Sequence, residues 1–210
     1  MFSAAILLGG KATRFDGCDK SALLVSGRTI LSRQLEALSG VAPGEPGDDD
    51  VMLVGPSIPP SDVEESLRAR GLPRHVEDIV PGCGPLGGLH AALSSARHDR
   101  TLLLACDMPF VTAPLLRHLL SLAGEDADVV VPRTERGYHP LCAVYSRACL
   151  GPAGRRLARG ELKMAALFDE VRVRVVTADA LSAFGDPDRL LANVNTSLEY
   201  RAIEANGMQS

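Results

Sequence analysis

One carboxylate in this sequence stands where a metal ion could be bound. Asp107 follows the apolar run Thr101–Cys106 and is itself followed by Met108 and Pro109. If the run is a buried strand, Asp107 lies at its carboxyl end, where ligands bind in open α/β sheets. Mg²⁺ is usually held by one or two carboxylates together with phosphate oxygens. Composition alone leaves a simpler role open, in which Asp107 ends the strand and caps the following turn.

A glycine pair with nearby cations follows the first apolar run. Ala4–Leu8 leads into Gly9 and Gly10, and Arg14 and Lys20 come shortly afterwards. Adjacent glycines let the backbone approach a ligand closely, so that its N–H groups can bind phosphate oxygens. The segment matches neither the P-loop nor the dinucleotide-binding pattern. Glycine content alone favours a strand-to-helix turn, but Arg14, Asp19 and Lys20 at these offsets favour a nucleotide site.

A second glycine-rich segment contains Gly84, Pro85, Leu86 and Gly88 and is predicted to open a helix. Glycine in a helix costs about 1 kcal/mol relative to alanine, so something should offset that cost. A ligand lying against the backbone and close helix–strand packing explain it equally well. Asp78 precedes this segment at the end of a short predicted strand, where a turn or cap is the simpler role.

Four later residues could also contact a ligand. His139 precedes a predicted strand and could be a base, a ligand contact or an ordered loop residue. Lys163 precedes an apolar segment and could be a binding cation or a solvated residue at a helix start. Asn193 and Asn195 alternate, so in a strand their amides would point to the same face and could meet one ligand. The competing role for Asn195 is to cap the last helix.

These side chains need a scaffold, which the apolar patterning predicts. Short apolar runs alternate with segments in which leucines recur at helical spacing. Such runs are typical of strands in a parallel sheet covered on both faces, so we expect an α/β, doubly wound, mostly parallel sheet. The predicted strands are Ala4–Leu8, Val51–Val54, Arg74–Val76, Thr101–Cys106, Asp128–Val131, Leu141–Tyr145 and Val171–Val176. The predicted helices are Thr29–Ser39, Leu86–Ala96 and Ala113–Ala123.

Composition argues against several classes of function. The 210-residue chain has a net charge of −4 at pH 7 and no basic tract, so it does not carry the footprint of a nucleic-acid-binding protein. Its apolar start is too short to be a membrane span and lacks the basic region of a signal peptide. The five cysteines form no C-x-x-C pair, which favours reduced thiols. We expect one cytoplasmic domain over residues 1–210, with no membrane or nucleic-acid partner.

Taken in order, these motifs resemble those of a known family. The run L-L-G-G-K-A-T-R-F-D-G-C-D-K, from Leu7 to Lys20, is similar to the signature of pyrophosphorylase-type nucleotidyltransferases. Its Asp-Lys ending most resembles the molybdenum-cofactor guanylyltransferases. The later segments G-P-L-G-G, C-D-M-P, H-P and N-V-N-T follow in the family's order. Each motif is weak alone, but their joint order is specific and covers nearly the whole chain.

The resemblance implies a Rossmann-like nucleotidyltransferase fold and a role for each motif. Asp107 is the implied ligand of Mg²⁺, and we assign catalytic roles to Asp107, Lys20 and Arg14. Asp78 is implied to lie near guanine, because a carboxylate can accept hydrogen bonds from the N1–H and the amine of that base. The residues implied to contact the nucleotide or the second substrate are Leu7, Leu8, Gly9, Gly10, Lys20, Asp78, Gly84, Pro85, Leu86, Gly88, Asp107, His139, Lys163, Asn193 and Asn195.

Three positions depart from the family's pattern. Leu8 stands where the family usually has alanine, and Asp16 where glycine is common. Lys163 stands where family members usually carry arginine. Lysine keeps the positive charge but loses the bidentate geometry of a guanidinium, so we expect weaker binding of the second substrate if this cation grips it.

The activity implied by the resemblance is transfer of GMP from Mg-GTP to the terminal phosphate of molybdopterin, with release of pyrophosphate. Such catalysis needs positioning and electrostatic stabilisation, and no covalent enzyme intermediate. The implied partners are GTP, molybdopterin or the molybdenum cofactor, and, in transient contact, proteins that handle the cofactor. Two alternatives stay open. One is a cytidylyltransferase acting on molybdopterin or on a sugar or alditol phosphate, and the other is a regulatory nucleotide-binding module.

Overall fold

The computed structural model describes residues 1–8, 23–41, 50–55, 73–77 and 82–194. Within these ranges the chain forms one sheet of eight strands and a separate hairpin made of β2 and β3. The strands are β1 (Ser3–Leu7), β2 (Leu24–Val25), β3 (Arg28–Thr29), β4 (Asp50–Val54), β5 (Arg74–Val76), β6 (Arg100–Ala105), β7 (Val129–Thr134), β8 (Gly137–Tyr138), β9 (Cys142–Ser146) and β10 (Val173–Thr177). The α-helices are α1 (Ile30–Ser39), α2 (Gly84–Ser95), α3 (Ala113–Ser121), α4 (Leu150–Ala158), α5 (Ala178–Ser182) and α6 (Pro187–Leu190). Arg147–Cys149 and Met164–Asp169 form 3₁₀-helices.

The strand order of the large sheet is β10-β7-β9-β6-β1-β4-β5, with β8 paired to β7. Strands β5, β4, β1 and β6 are parallel, and β10 is parallel to β7. Strand β9 is antiparallel to both of its neighbours. The predicted mostly parallel α/β sheet is confirmed, with β9 as its exception. Every residue of β9 is buried, so its apolar pattern resembles that of a parallel strand.

Helices cover both faces of the sheet, because successive residues of its central strands point to opposite sides. Ile6 and Leu104 pack in a cluster with residues of α1 and α3. Leu7 and Leu103 pack in a second cluster with residues of α2 and α4. The doubly wound arrangement is therefore also confirmed, and we refer to the second side as the α2 face.

Most element boundaries fall within two residues of the predicted ones. Helix α1 begins after Thr29, whose hydroxyl accepts a hydrogen bond from Ser32 N–H over 3.1 Å. Helix α2 begins two residues earlier than predicted, at Gly84, because Pro85 is tolerated in a first helical turn. Strand β10 begins later than predicted, after Arg172, whose side chain instead bonds to Asp128.

No helix in the described ranges has the length and apolarity needed to cross a lipid bilayer. The cysteines in these ranges are Cys83, Cys106, Cys142 and Cys149, and all are free thiols. Burial raises the pKa of Cys142 to about 12, so this thiol packs as a small apolar side chain.

Candidate active site

The carboxyl ends of β1 and β6 meet at one edge of the sheet. Leu7 is in register with Ala105, and Cys106 N–H donates a hydrogen bond to Leu7 O over 3.2 Å. The segments that follow β1 and β6 therefore leave the sheet side by side, with Leu8 on the first and Asp107 on the second. The sheet brings the residue that precedes the glycine loop next to the predicted metal carboxylate, at the edge where ligands bind in such folds.

The backbone around Asp107 is held from both sides. Gln34 on α1 is fully buried, and its amide donates hydrogen bonds to Ala105 O over 2.7 Å and to Met108 O over 3.2 Å. Asp107 O accepts a hydrogen bond from Val194 N–H over 2.8 Å. The Asp107 side chain is half-buried. A carboxylate on a backbone fixed in this way is positioned before any ligand arrives, as electrostatic catalysis requires.

Asn193 reaches this edge from the end of the described chain. Its neighbour Val194 is fully buried against Val25 and Ile30 and donates the hydrogen bond to Asp107. Residues 192–194 form no strand, so the strand expected around Asn193 is not present there. Packing of Val194 and one backbone hydrogen bond hold the segment instead. Asn193 is half-buried and next in sequence to the residue bonded to Asp107.

His139 lies at the same edge, between β8 and β9. Its N–H donates to Pro132 O on β7 over 2.9 Å, while Leu141 O accepts a hydrogen bond from Ala105 N–H on β6, also over 2.9 Å. The segment around His139 therefore bridges β7 and the strand that carries Asp107. His139 and Asp107, both predicted from the sequence, therefore lie on neighbouring segments at the carboxyl edge of the sheet.

The imidazole of His139 is fixed and held neutral. Its Nε2 is hydrogen-bonded to Thr134 Oγ1 over 2.9 Å, and that hydroxyl also accepts a hydrogen bond from Arg136 N–H over 3.2 Å. Burial lowers the pKa of His139, the positive charge of Arg136 lowers it further, and Asp188 opposes the shift only in part. His139 is therefore uncharged at neutral pH and suits hydrogen bonding to a ligand better than pairing with a phosphate charge.

Lys163 is an exposed cation that precedes the 3₁₀-helix Met164–Asp169. Its carbonyl accepts a hydrogen bond from Ala166 N–H over 3.1 Å. Met164 is buried in the core of the α2 face. Phe168 of the same helix contacts the ring of Tyr138, next to His139, with ring centroids 5.2 Å apart. Lys163 thus lies on an element that packs beside the His139 segment, and no ion pair to it occurs among residues the structure describes.

The four predicted residues at the start of α2 divide into two pairs. Leu86 is fully buried, and a Cβ added to Gly88 would lie 2.9 Å from Leu7 Cδ2. The glycine at position 88 therefore permits close packing of α2 on β1. Gly84 and Pro85 are exposed, and Gly84 adopts a φ of +60°, which favours glycine. Close packing therefore explains the glycine at position 88, and a ligand contact at Gly84 and Pro85 stays a prediction.

Gly55 is a site residue that the sequence reasoning missed. It follows β4 at the same edge, where its N–H donates to Val76 O over 3.0 Å. A Cβ at this position would lie 2.9 Å from Leu8 Cβ and closer still to Leu8 O. Only glycine lets the exits of β4 and β1 approach this closely. The local sequence signal was a single glycine after an apolar strand, which is common in turns.

Several predicted site residues lie outside the described ranges, so their roles stay predictions: Gly9, Gly10, Arg14, Lys20, Asp78 and Asn195.

Within the described ranges, no group of three or more His, Cys, Asp or Glu side chains is placed to hold a metal ion. A closed structural zinc site needs four such ligands. Mg²⁺ commonly takes only one or two carboxylates and completes its shell with phosphate oxygens and water. A single carboxylate at this edge, Asp107, has the donor chemistry for a divalent cation that takes its remaining ligands from phosphate and water.

Comparison with known proteins agrees with this geometry. The family model described as MobA-like NTP transferase domain matches residues 4–175. A protein of Desulfosudis oleivorans named molybdenum cofactor guanylyltransferase is 33% identical over 201 residues, which are 95% of this chain and 93% of the relative. A protein of Pelotomaculum thermopropionicum named probable molybdenum cofactor guanylyltransferase is 34% identical over 92% of this chain and 87% of its own length.

A solved structure shares the fold. It is the molybdopterin-guanine dinucleotide biosynthesis protein A of Archaeoglobus fulgidus, with a TM-score of 0.76, 24% identity and full coverage of both chains. The ordered motifs, the edge that joins Leu8 to Asp107 and the match over residues 4–175 lead to one assignment. This chain belongs to the MobA-like NTP transferase domain family of nucleotidyltransferases.

Proposed function

We propose that the protein transfers GMP from Mg-GTP to the phosphate of molybdopterin, releasing pyrophosphate and forming the guanine dinucleotide cofactor. The observation that carries the proposal is the position of Asp107, beside the chain that leads from β1 into the glycine loop. The names of the relatives support the choice of substrates, since both are named for guanylyl transfer to the molybdenum cofactor. The proposal includes a single domain over residues 1–210 and a cytoplasmic location.

In this proposal the β1–β5 side of the site binds GTP. Leu7, Leu8 and the backbone of Gly9–Lys20 surround the nucleotide, and Arg14 and Lys20 neutralise its phosphates. Asp78 accepts hydrogen bonds from guanine, which cytosine cannot donate in the same arrangement. Gly84 and Pro85 are exposed at the start of α2, so their backbone is open to the ligand.

Asp107 holds the metal in the proposed mechanism. Bound Mg²⁺ would neutralise the negative charge that develops on the phosphate oxygens. The fixed backbone of Asp107 keeps its carboxylate in place, because Gln34 and Val194 already satisfy the flanking peptide groups. No reorganisation of this loop is then needed during the reaction.

The β7–β9 side of the site receives the acceptor. On this side His139 offers a neutral hydrogen-bonding group and Lys163 a positive charge, while Asn193, next in sequence to the residue bonded to Asp107, and Asn195 offer neutral amides. A phosphate oxygen of the acceptor attacks the α-phosphorus of GTP, and the bond to the pyrophosphate oxygen breaks. The attacking phosphate is already anionic at neutral pH, so positioning replaces a strong general base.

Two assays test the proposal. Thermal unfolding with GTP or CTP, each with and without Mg²⁺, should show the largest stabilisation with GTP and Mg²⁺, since a ligand of the native state raises apparent stability. Pyrophosphate should then be released only when molybdopterin is added. A preference for CTP would instead support the cytidylyltransferase alternative. Nucleotide binding without pyrophosphate release would support the regulatory module.

A further inference from the structure

An exposed aromatic side chain lies beside His139 at the carboxyl edge of the sheet. Tyr138 is 38% exposed, although it is a large and mostly apolar residue. Single exposed apolar residues are ordinary, so its position and neighbours decide its meaning. Tyr138 belongs to β8, where it pairs in register with Arg133 of β7, and it immediately precedes His139. The ring therefore stands next to a predicted ligand contact.

Two neighbours hold this ring in place. Phe168 meets it in a T-shaped arrangement, with ring centroids 5.2 Å apart and an angle of 78° between the planes. The guanidinium of Arg133 lies 5.2 Å from the Tyr138 centroid. Both arrangements are favourable for aromatic rings. The Tyr138 ring is thus ordered before a ligand arrives, which lowers the entropic cost of binding to it.

Arg133, Arg136 and Lys163 are cations on the segments around Tyr138, and Glu135 lies in the same turn as Arg136. Arg133 is exposed and forms no ion pair with any residue the structure describes. Arg136, in the turn before β8, forms an ion pair with Asp188 over 3.6 Å, with both side chains mostly exposed. Lys163 precedes the helix that carries Phe168. An aromatic surface among cations is complementary to a ligand that combines a planar ring with a negatively charged group.

We infer that Tyr138 is the surface on which the planar ring of the acceptor packs, with Arg133 meeting the acceptor's negative charge. The inference rests on the proposed function, since it identifies part of the acceptor side of that site. A pterin is a planar heteroaromatic ring, and such rings stack on exposed aromatic side chains. In the sheet order, β7, β9 and β6 lie between β8 and β1, so Tyr138 serves the acceptor and not the nucleotide.

Steady-state kinetics of two variants test this inference. Tyr138→Ala should raise the KM for molybdopterin about tenfold, the effect expected when stacking on one aromatic ring is lost. Tyr138→Phe keeps the ring and should remain within about twofold of the wild-type KM. The Kd of GTP should be unchanged in both. The matched control is Val175→Ala, because Val175 is 37% exposed on the edge strand β10.

The outcomes separate this inference from the proposed function. An unchanged KM for molybdopterin in an active Tyr138→Ala variant would overturn the inference and leave the guanylyl transfer intact. An equal loss of GTP affinity would show a structural role and would also overturn it. If the wild-type chain transfers no GMP, the role of Tyr138 can still be tested by equilibrium binding of molybdopterin in the absence of GTP. Weaker binding by Tyr138→Ala alone supports the inference, and equal binding by all variants overturns it.

Discussion

The two edges of the sheet hold carboxylates of the same type in different surroundings. At the amino edge, Asp50 begins β4 and is only 3% exposed. Its carboxylate accepts hydrogen bonds from Ser3 Oγ and Arg74 Nη2, each over 2.7 Å, and from Arg97 N–H over 2.9 Å. At the carboxyl edge, Asp107 is half-buried beside the exit of β1. A buried carboxylate surrounded by donors stabilises the fold, whereas a partly open one at a ligand-binding edge can serve chemistry.

Asp128 at the base of β7 repeats the amino-edge pattern. Arg172 donates to both of its carboxylate oxygens, over 2.7 and 3.0 Å. These hydrogen bonds hold the pKa of Asp128 below its usual value, against the opposing effect of burial. For Asp50, burial alone would raise the pKa, but the hydrogen bonds from Arg97, Ser3 and Arg74 outweigh it and lower the pKa. The amino edge is therefore built from carboxylates that stay ionised and paired.

The largest expected effect is on turnover at the carboxyl edge. Asp107→Ala should lower GMP transfer by roughly a hundredfold or more, since a bound metal contributes several kcal/mol to transition-state stabilisation. The free energy of unfolding should change less than in an Asp50 variant, because the backbone hydrogen bonds of Asp107 do not depend on its side chain. Parallel measurement of kcat and of urea unfolding checks both points. If Asp107→Ala lost as much stability as an Asp50 variant, the two edges of the sheet would not differ in the role of their carboxylates.

At the amino edge the expected effect is on stability. Asp50→Ala should lower the free energy of unfolding by about 1–3 kcal/mol, because Ser3 Oγ and Arg97 N–H lose a buried acceptor, while Arg74 is partly exposed and can be solvated. The Kd of GTP should be unchanged in the protein that remains folded. The matched control is Asp99→Ala at the same edge, whose side chain is 65% exposed and which should be near neutral. Equal effects of the two substitutions would contradict the role given to Asp50.

Acid should destabilise the protein through the amino edge. The pKa values of Asp50 and Asp128 are lowered in the folded state, so the unfolded chain binds more protons as the pH falls below the ordinary aspartate value. Stability is therefore fully present above that value and is lost as the pH falls through the lowered pKa values. Unfolding in urea across this acidic range should show the decline, and Asp50→Ala should make it shallower. An unchanged slope in that variant would count against the pairing of Asp50.

The smallest expected effect separates the two explanations for the glycines of α2. In Gly88→Ala the new Cβ would press on the flexible end of Leu7, which costs about 1–3 kcal/mol by overpacking. Better helix propensity offsets about 1 kcal/mol of this cost. Urea unfolding should show a net loss of about 1 kcal/mol. If GTP affinity fell strongly while stability stayed constant, ligand approach would be the reason for glycine, and packing would not.

The fold was predictable because its central strands are apolar on both faces. Two features of it were not predictable from the sequence. The antiparallel direction of β9 has no sequence signal, since every residue of that strand is buried whichever way it runs. Gly55 was missed because its close contact, Leu8, is distant in sequence.

Within the site, chemistry-bearing residues were easier to predict than those that position them. Asp107, His139 and Asn193 were predicted by motif, and the structure brings them to the same edge. Gln34 was missed, because its hydrogen bonds to the Asp107 loop form only when α1 packs on β6. A glutamine within an ordinary amphipathic helix gives no local sign of such a partner.

In the proposed mechanism, Asp107 binds the metal that accompanies GTP. The most direct test is the Kd of GTP measured over a range of Mg²⁺ concentrations for the wild-type chain and for Asp107→Asn, which keeps the side chain's size and removes its charge. We predict that Mg²⁺ strengthens GTP binding to the wild-type chain and has little effect on binding to the variant. The same dependence on Mg²⁺ in both proteins would contradict the assignment.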